Sequence, residues 1–388
     1  MQTPDTGSPP KKNILVVVRW PVGGIRTFMR YVYQHFDVHA FHFSILAPDT
    51  AETEVLAKDL EGLDFEIIKV SENPSFRELF VSTARLLLGG KFHLVHSHGF
   101  TSGVCSAFPA FFMRVPNVLT SHDVLFDKQF SGASGLAKRI VLKLALSCID
   151  VIHSVSYDAQ ENLLDFFPSF KSKTGKFLVI HNGIESGRFI NAVPRGLRSE
   201  IGVGTDYFLI GFLGRFMTQK GFKYLVDAME QLKSNGDSVK KPLVLTFGDG
   251  AFIREEKHAI AERGLQDDFV FLPFTPNVCE VIKGLDLVVM PSLWEACPLL
   301  PMEVLVSGVP IITSDCIGLR EVVKDTPAHI VPAKNSVALA GAIAYFMKHD
   351  MRGSFSDFVP HAVERYDVKP TALALQRLLR QRAEGKVR

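Results

Sequence analysis

The chain has 388 residues, too many for one ordinary hydrophobic core, so two domains of similar size are the natural expectation. Apolar residues make up 47% and charged ones 22%, a globular profile that excludes a mostly disordered chain. A formal net charge of +2, from 43 basic and 41 acidic residues, lacks the strongly basic balance of a dedicated nucleic-acid binder.

Met1 to Lys12 is polar and proline-containing, without the apolar stretch of a signal peptide, and is expected to be a disordered tail (1–12). The first ordered element is Asn13–Val18, a short apolar run typical of a buried parallel strand. A loop with Gly23 and Gly24 follows, and then a helix from Arg26 to Phe36. Strand, Gly-rich turn and helix together open a doubly wound α/β domain. Further strands are expected at Phe41–Leu46, Phe65–Lys69, Leu94–His96, Asn117–Thr120, Val151–Val155 and Phe177–Ile180. Helical stretches separate most of them, as parallel crossovers require.

The first domain is therefore expected to span 13–191, and 192–205, with its Pro, Gly and charges, to be a linker. A second alternation fills 206–355. Its strands are Phe208–Leu213, Leu243–Phe247, Phe269–Leu272, Leu287–Met290, Pro310–Thr313 and His329–Val331. Its helices are Gly221–Leu232, Ile253–Arg263, Leu299–Ser307 and Ala338–Lys348. Residues 356–388 complete the chain with helices. The fold class is α/β: two Rossmann-like, doubly wound domains facing a central cleft, with a C-terminal helix packing back toward the first.

Five cysteines (Cys105, Cys148, Cys279, Cys297 and Cys316) are scattered and lack CxxC spacing. That pattern favours neither zinc nor a disulfide framework, and a reducing cytoplasm is expected. No apolar run approaches the about 20 residues needed to span a bilayer. Contact with a membrane surface stays open, because Val124–Leu146, together with Phe108, Phe111, Phe112 and Arg114, mixes aromatic and basic residues.

The chemistry concentrates in two segments. Trp294 to Glu303 follows an apolar strand and so lies beyond its carboxyl end, where ligands bind in open α/β sheets. Pro298 and Pro301 suit a helix's first turn, leaving the amides of Leu299 and Leu300 to face an anion. Glu295 in the loop and Glu303 in the helix are acceptor-only groups that suit paired hydroxyls. Each glutamate alone is more simply a solvated surface residue; the spacing and setting reverse that balance. Gly211 to Gly221 places Arg215 at a strand end and Lys220 just before a helix. A guanidinium fork and a mobile ammonium can together neutralise a diphosphate. The order of residues is not that of a P-loop.

The early Gly-Gly loop, Thr120-Ser121-His122-Asp123, Val179 to Glu185, Gly-Arg-Phe-x4-Lys-Gly and the Glu-x7-Glu segment resemble, in this order, the family 4 retaining glycosyltransferases of the GT-B fold. The resemblance runs from about Asn13 to the C-terminus. It implies that Glu303 binds the ribose of a nucleotide, that Glu295 contacts the transferred sugar and that Arg215 and Lys220 hold the diphosphate. It further implies that Gly24 lets the backbone approach the phosphates and that His122 stands beside the reacting carbon. Many members have Gly-Phe-Gly after the first glutamate. Here Ala296-Cys297-Pro298 removes one amide donor, so sugar contacts fall to Cys297, Leu299 or Leu300.

Two weaker candidates remain. Arg26 lies in a helix's first turn, where a cation opposes the helix dipole, which suggests an anionic donor or acceptor. His96 and His98 end a strand; lacking a carboxylate or cysteine cluster, they read as residues lining the cleft rather than metal ligands.

The expected activity is transfer of a sugar from a nucleotide-sugar donor, UDP-linked in first place and GDP-linked in second, to a saccharide or lipid-linked saccharide acceptor. No metal and no cofactor beyond the substrate are expected, no nucleic acid, and domain closure around the substrates. A nucleotide-sugar epimerase of the same architecture, or a non-catalytic sugar-nucleotide binder, are the rivals.

Overall fold

The computed structural model describes residues 11–173, 175–235 and 240–385. The expected tail 1–12 lies outside them, apart from Lys11 and Lys12. Lys11 pairs with Asp64 (Nζ–Oδ2 2.6 Å), and Lys12 opens the first strand. The chain divides into two compact units: one holds residues up to Gly183 plus the segment from Val368, the other Ile184–Asp367.

The first unit contains a seven-stranded sheet: β1 (Lys12–Val18), β2 (Phe41–Pro48), β3 (Phe65–Val70), β4 (Leu94–His98), β5 (Asn117–Ser121), β6 (Val151–Ser154) and β7 (Phe177–Val179). All pairings are parallel, and the order is β3-β2-β1-β4-β5-β6-β7. Its central strands are covered on both faces, so Ile14 to Val18 is wholly buried and reads as a continuous apolar run. The helix Gly23–Tyr33 lays Phe28, Met29, Val32 and Tyr33 inward. The helix Val368–Glu384 belongs to this unit and packs on Gly23–Tyr33, with Gln376 Oε1 accepting from the Asp37 amide at 2.7 Å. Nearer the start of the same helix, Thr371 Oγ1 donates to the His181 carbonyl at 2.8 Å.

The second unit has a six-stranded parallel sheet: β8 (Tyr207–Leu213), β9 (Lys241–Phe247), β10 (Phe269–Leu272), β11 (Leu287–Met290), β12 (Ile311–Ser314) and β13 (His329–Val331). The order is β10-β9-β8-β11-β12-β13. In each sheet the strand order reverses at one place, between β1 and β4 and between β8 and β11. Crossovers depart in opposite directions there and leave a crevice at the carboxyl ends.

The units divide away from the expected 192–205 linker. Ile184 pairs with Asp367 in a parallel bridge, and its amide donates to Tyr366 O at 2.8 Å, which draws 184–191 into the second unit. Within 192–205 the helix Leu197–Glu200 buries Leu197, and the Arg195 amide donates to Glu280 O at 2.9 Å. The C-terminal helices divide likewise: Arg352–Tyr366 stays with the second unit, and only the helix from Val368 joins the first.

Candidate active site

In the second unit, the loops after β8 and β11 flank the reversal point. The β8 loop carries Arg215, whose backbone is bracketed by bonds from Gly214 N to Phe247 O (3.1 Å) and from Phe216 N to Asp249 O (3.0 Å). The guanidinium of Arg215 is exposed and makes no ion pair among the described residues. A single 3-10 turn, Thr218–Lys220, then ends at Gly221 in the left-handed region (φ 65°). A Cβ on Gly221 would stand 2.0 Å from Pro291 O, so only glycine lets this loop close on the β11 loop. Leu293 N donates to Gln219 O at 2.7 Å across the same junction.

Glu295 is buried in that junction. Its Oε1 accepts from Lys220 Nζ at 2.7 Å and from Ser292 Oγ at 2.9 Å, while Gln219 Nε2 reaches Oε2 at 3.3 Å and Trp294 O at 2.8 Å. The Glu295 amide donates to Ile317 O at 3.0 Å, and Gly318 beside it (φ 74°) leaves no room for a side chain against Glu295 O. Ser314 Oγ on β12 donates to Ser292 O, tying the loop to the sheet. The sequence marks Lys220 and Glu295 as ligand-binding groups but not as each other's partners, and no motif offers a signal for Ser292 or Gln219.

The helix after Glu295 runs Leu300–Val306 with Leu299 as its N-cap residue and Pro301 in the first turn, one residue shorter at each end than expected. Glu303 is buried on it, Cys297 is buried in the loop before it, and Leu299 and Leu300 are half-buried at its start.

In the first unit, the helix begins at Gly23 rather than Arg26. Gly24 therefore lies in its first turn, exposed, with open space on the side where a Cβ would stand. Arg26 pairs with Asp59 (Nε–Oδ2 3.2 Å). His122 is half-buried beyond β5, with Phe28 packed edge-on against it at 4.9 Å. His98 is buried, and both its ring nitrogens are taken: Nε2 meets Tyr33 Oη at 2.9 Å and Nδ1 meets His122 Nε2 at 3.0 Å. It can therefore act on a ligand only through His122.

The pairing register explains this cluster. His98, Thr120 and His153 are partners across β4, β5 and β6, and His96 lies two residues before His98 on the same face. Burial pushes the imidazoles toward the neutral form: His122 down to about 3, His153 to about 4, and His96 and His98 well below the ordinary range, with the neighbouring rings adding to the effect. Burial likewise holds the Tyr33 hydroxyl well above its usual value.

Comparison with known proteins places both halves. Residues 22–188 match the family described as Glycosyltransferase Family 4, and 196–358 match Glycosyl transferases group 1. EpsF of Bacillus subtilis (strain 168) is 27% identical over 308 residues, covering 76% of this chain and 77% of EpsF. The D-inositol 3-phosphate glycosyltransferase of Nocardia farcinica is 26% identical over 290 residues, 72% of this chain and 63% of that protein. The Escherichia coli UDP-Gal:alpha-D-GlcNAc-diphosphoundecaprenol alpha-1,3-galactosyltransferase is 24% identical over 249 residues, 63% of each chain. The chain thus spans less than two thirds of the last two. Among solved structures, HepE of Anabaena in complex with UDP and glucose superposes with a TM-score of 0.78 at 20% identity, over 95% of this chain and 99% of that one. WaaG, a glycosyltransferase involved in lipopolysaccharide biosynthesis, gives 0.71 at 14% identity, over 94% and 99%.

Proposed function

This chain belongs to glycosyltransferase family 4 and has the GT-B fold, and from that premise we propose that it transfers a sugar from a UDP-linked donor to an acceptor hydroxyl with retention of anomeric configuration. The observation that carries the proposal is the buried Glu295 paired with Lys220, beside the exposed Arg215, at the reversal point of the second sheet. A diphosphate entering there meets two cations on the loop after β8, and Lys220 exchanges its carboxylate partner for phosphate oxygens. Glu295, released from Lys220 but still held by Ser292, then accepts from hydroxyls of the transferred sugar. Glu303 accepts from the ribose hydroxyls.

Departure of the diphosphate leaves oxocarbenium-like charge on the sugar. Arg215 and Lys220 stabilise the leaving group electrostatically, with the backbone at Leu299 and Leu300 contributing amide donors and Cys297 lining the sugar side. Gly24 gives backbone access to phosphate, and His122 positions the sugar, a proximity contribution. The acceptor attacks on the face that the diphosphate leaves, and a donor phosphate oxygen takes its proton, so no protein nucleophile and no metal ion is required. UDP as the nucleotide is supported by the UDP complexes of HepE and by the UDP-galactose named for the E. coli relative. The lipid-linked acceptor in that relative's name supports a lipid-linked saccharide here. A role in polysaccharide or glycolipid assembly at the cytoplasmic membrane face follows. No described helix is long and apolar enough to cross a membrane. However, the helix Gly132–Cys148 exposes Leu136, Ile140 and Leu144 beside Lys138 and Lys143, a face suited to anionic headgroups.

A thermal-shift screen against UDP-, GDP- and ADP-sugars, followed by NMR of the product's anomeric centre, tests this reading. A UDP-sugar is expected to stabilise the chain most and to give product of unchanged anomeric configuration. Conversion of the donor without any acceptor would instead support an epimerase, and inversion would remove the retaining mechanism.

A further inference from the structure

One unbroken line of hydrogen bonds runs through the first unit. Ile180 O faces His153 Nε2 at 2.9 Å, and His153 Nδ1 faces Thr120 Oγ1 at 3.0 Å. Thr120 Oγ1 faces His96 Nε2 at 2.8 Å, and His96 Nδ1 faces Tyr33 Oη at 2.8 Å. Tyr33 Oη faces His98 Nε2 at 2.9 Å, and His98 Nδ1 faces His122 Nε2 at 3.0 Å. His122 Nδ1 is the far end, with no partner among the described residues.

The order of protons along this line is determined. A carbonyl only accepts, so His153 carries its proton on Nε2. A neutral His153 then offers a lone pair at Nδ1, to which the single Thr120 hydroxyl proton must go. Thr120 therefore accepts from His96 Nε2–H. His96 Nδ1 accepts from the Tyr33 hydroxyl, whose oxygen accepts from His98 Nε2–H. His98 Nδ1, lastly, accepts from His122 Nε2–H. Running the line the other way from Tyr33 would set the lone pairs of Thr120 Oγ1 and His153 Nδ1 against each other inside the core, leaving both unsatisfied.

We propose that the Ile180 carbonyl, acting through His153, Thr120, His96, Tyr33 and His98, fixes His122 in its Nε2–H form and so presents His122 Nδ1 as a hydrogen-bond acceptor to a substrate hydroxyl. The five intermediate groups are positioning residues; His122 alone meets the ligand. The lowered basicity of all four imidazoles keeps them singly protonated, as the ordering requires, and Phe28 against His98, His122 and His153 keeps water from the line. A neutral acceptor at this point selects a hydroxyl in its donor role and rejects a second acceptor, such as a carboxylate or phosphate oxygen. That role for His122 rests on the glycosyltransferase reading above, whereas the proton order does not.

Long-range proton–nitrogen correlation spectra of the full chain with labelled histidine read the tautomers directly, with signals identified by single His→Asn substitutions. All four histidines are expected as Nε2–H at pH 7.5. In Thr120→Val, His96 loses the acceptor for its Nε2–H and turns to Nδ1–H; the reversal passes through Tyr33 and His98, and His122 should appear as Nδ1–H. Thr120→Ser should restore the wild-type pattern. Tyr33→Phe, a second cut, should leave His96 as Nε2–H while releasing His98 and His122. Wild-type His122 protonated on Nδ1, or unchanged in both cut variants, would overturn the relay. In turnover, Thr120→Val should lower kcat at least tenfold, with donor KM within about twofold and recovery in Thr120→Ser. If the spectra behave as expected but kcat does not move, the relay stands and the placement of His122 beside the sugar is lost.

Discussion

Lys220 and Glu295 are each other's partners, Nζ to Oε1 at 2.7 Å, in a junction where Glu295 is almost wholly buried. A buried carboxylate stripped of its cation costs about 3–5 kcal/mol in well-buried pairs, and less here because Lys220 is partly solvated. Lys220→Met should therefore destabilise the chain by about 1–3 kcal/mol in urea unfolding, on top of its effect on donor binding. Adding Glu295→Gln removes the stranded charge, and at least half of the lost stability should return while UDP affinity stays low. Additive losses in the double variant would mean that the pair is not coupled in solution.

Gly221 joins the two loops that build this junction. Alanine there must adopt a φ of 65° and place a Cβ at 2.0 Å from the Pro291 carbonyl oxygen, a backbone atom that cannot swing aside. Gly221→Ala should cost at least about 2 kcal/mol, from left-handed strain plus the displaced loop. Since the displaced loop carries Ser292 and Glu295, donor KM should rise as well. Gly341, with nothing within 4 Å of its Cβ position, is the control: Gly341→Ala should be neutral or stabilising.

The central strands were legible because parallel strands covered on both faces must be apolar throughout, and β1 or β11 can hardly be read as anything else; edge strands such as β3, with Glu66 and Lys69 exposed, were legible from their place in the alternation. The site residues were legible as types at strand ends. Their mutual contacts were not, because a one-dimensional motif cannot show that Lys220 reaches Glu295 across 75 residues of chain. The unit boundary was misplaced for the same reason: the bond from Ile184 N to Tyr366 O joins distant segments. Tyr33 carried no signal at all. It is the last residue of an amphipathic helix, and only the register of β4, β5 and β6 reveals why a hydroxyl is needed there.

The two glutamates should separate kinetically. Glu303 is proposed to hold the nucleotide alike in ground and transition states, so Glu303→Ala should raise donor KM about tenfold or more with a smaller change in kcat. Glu295 is proposed to contact the sugar as the bond breaks, so Glu295→Ala should chiefly lower kcat, by about a hundredfold. Steady-state kinetics with varied donor decide this, and equal small effects from both would undo the assignment.

Arg215 and Lys220 are proposed to supply the positive charge that a divalent ion provides in other transferases. Turnover should then survive excess EDTA, and added Mg²⁺ or Mn²⁺ should change kcat/KM by less than about twofold, whereas Arg215→Ala should lower kcat by about a hundredfold, the scale of losing one electrostatic donor. Activity abolished by EDTA and restored by either ion would remove the metal-independent reading.

The histidine line also predicts how stability depends on pH. In the unfolded chain His96, His98, His122 and His153 titrate near the ordinary value of about 6.5. In the folded chain burial lowers all four, His153 to about 4 and His122 to about 3. Between those values and about 6.5 the unfolded state binds more protons, so the slope of unfolding free energy against pH is positive and stability falls as the pH is lowered. Each histidine fully protonated only on unfolding adds about 1.4 kcal/mol per pH unit to that slope. Carboxylates held low by partners, such as Asp64 beside Lys11 and His42, contribute with the same sign but only nearer their own lower range. Urea unfolding from pH 8 to pH 5 should therefore show little dependence on these groups above pH 7 and a steep loss below about 6.5, corresponding to two or more protons taken up. A flat profile down to pH 5 would mean that the four rings take up protons as readily in the folded chain as in the unfolded one, and would overturn burial as the control on their basicity.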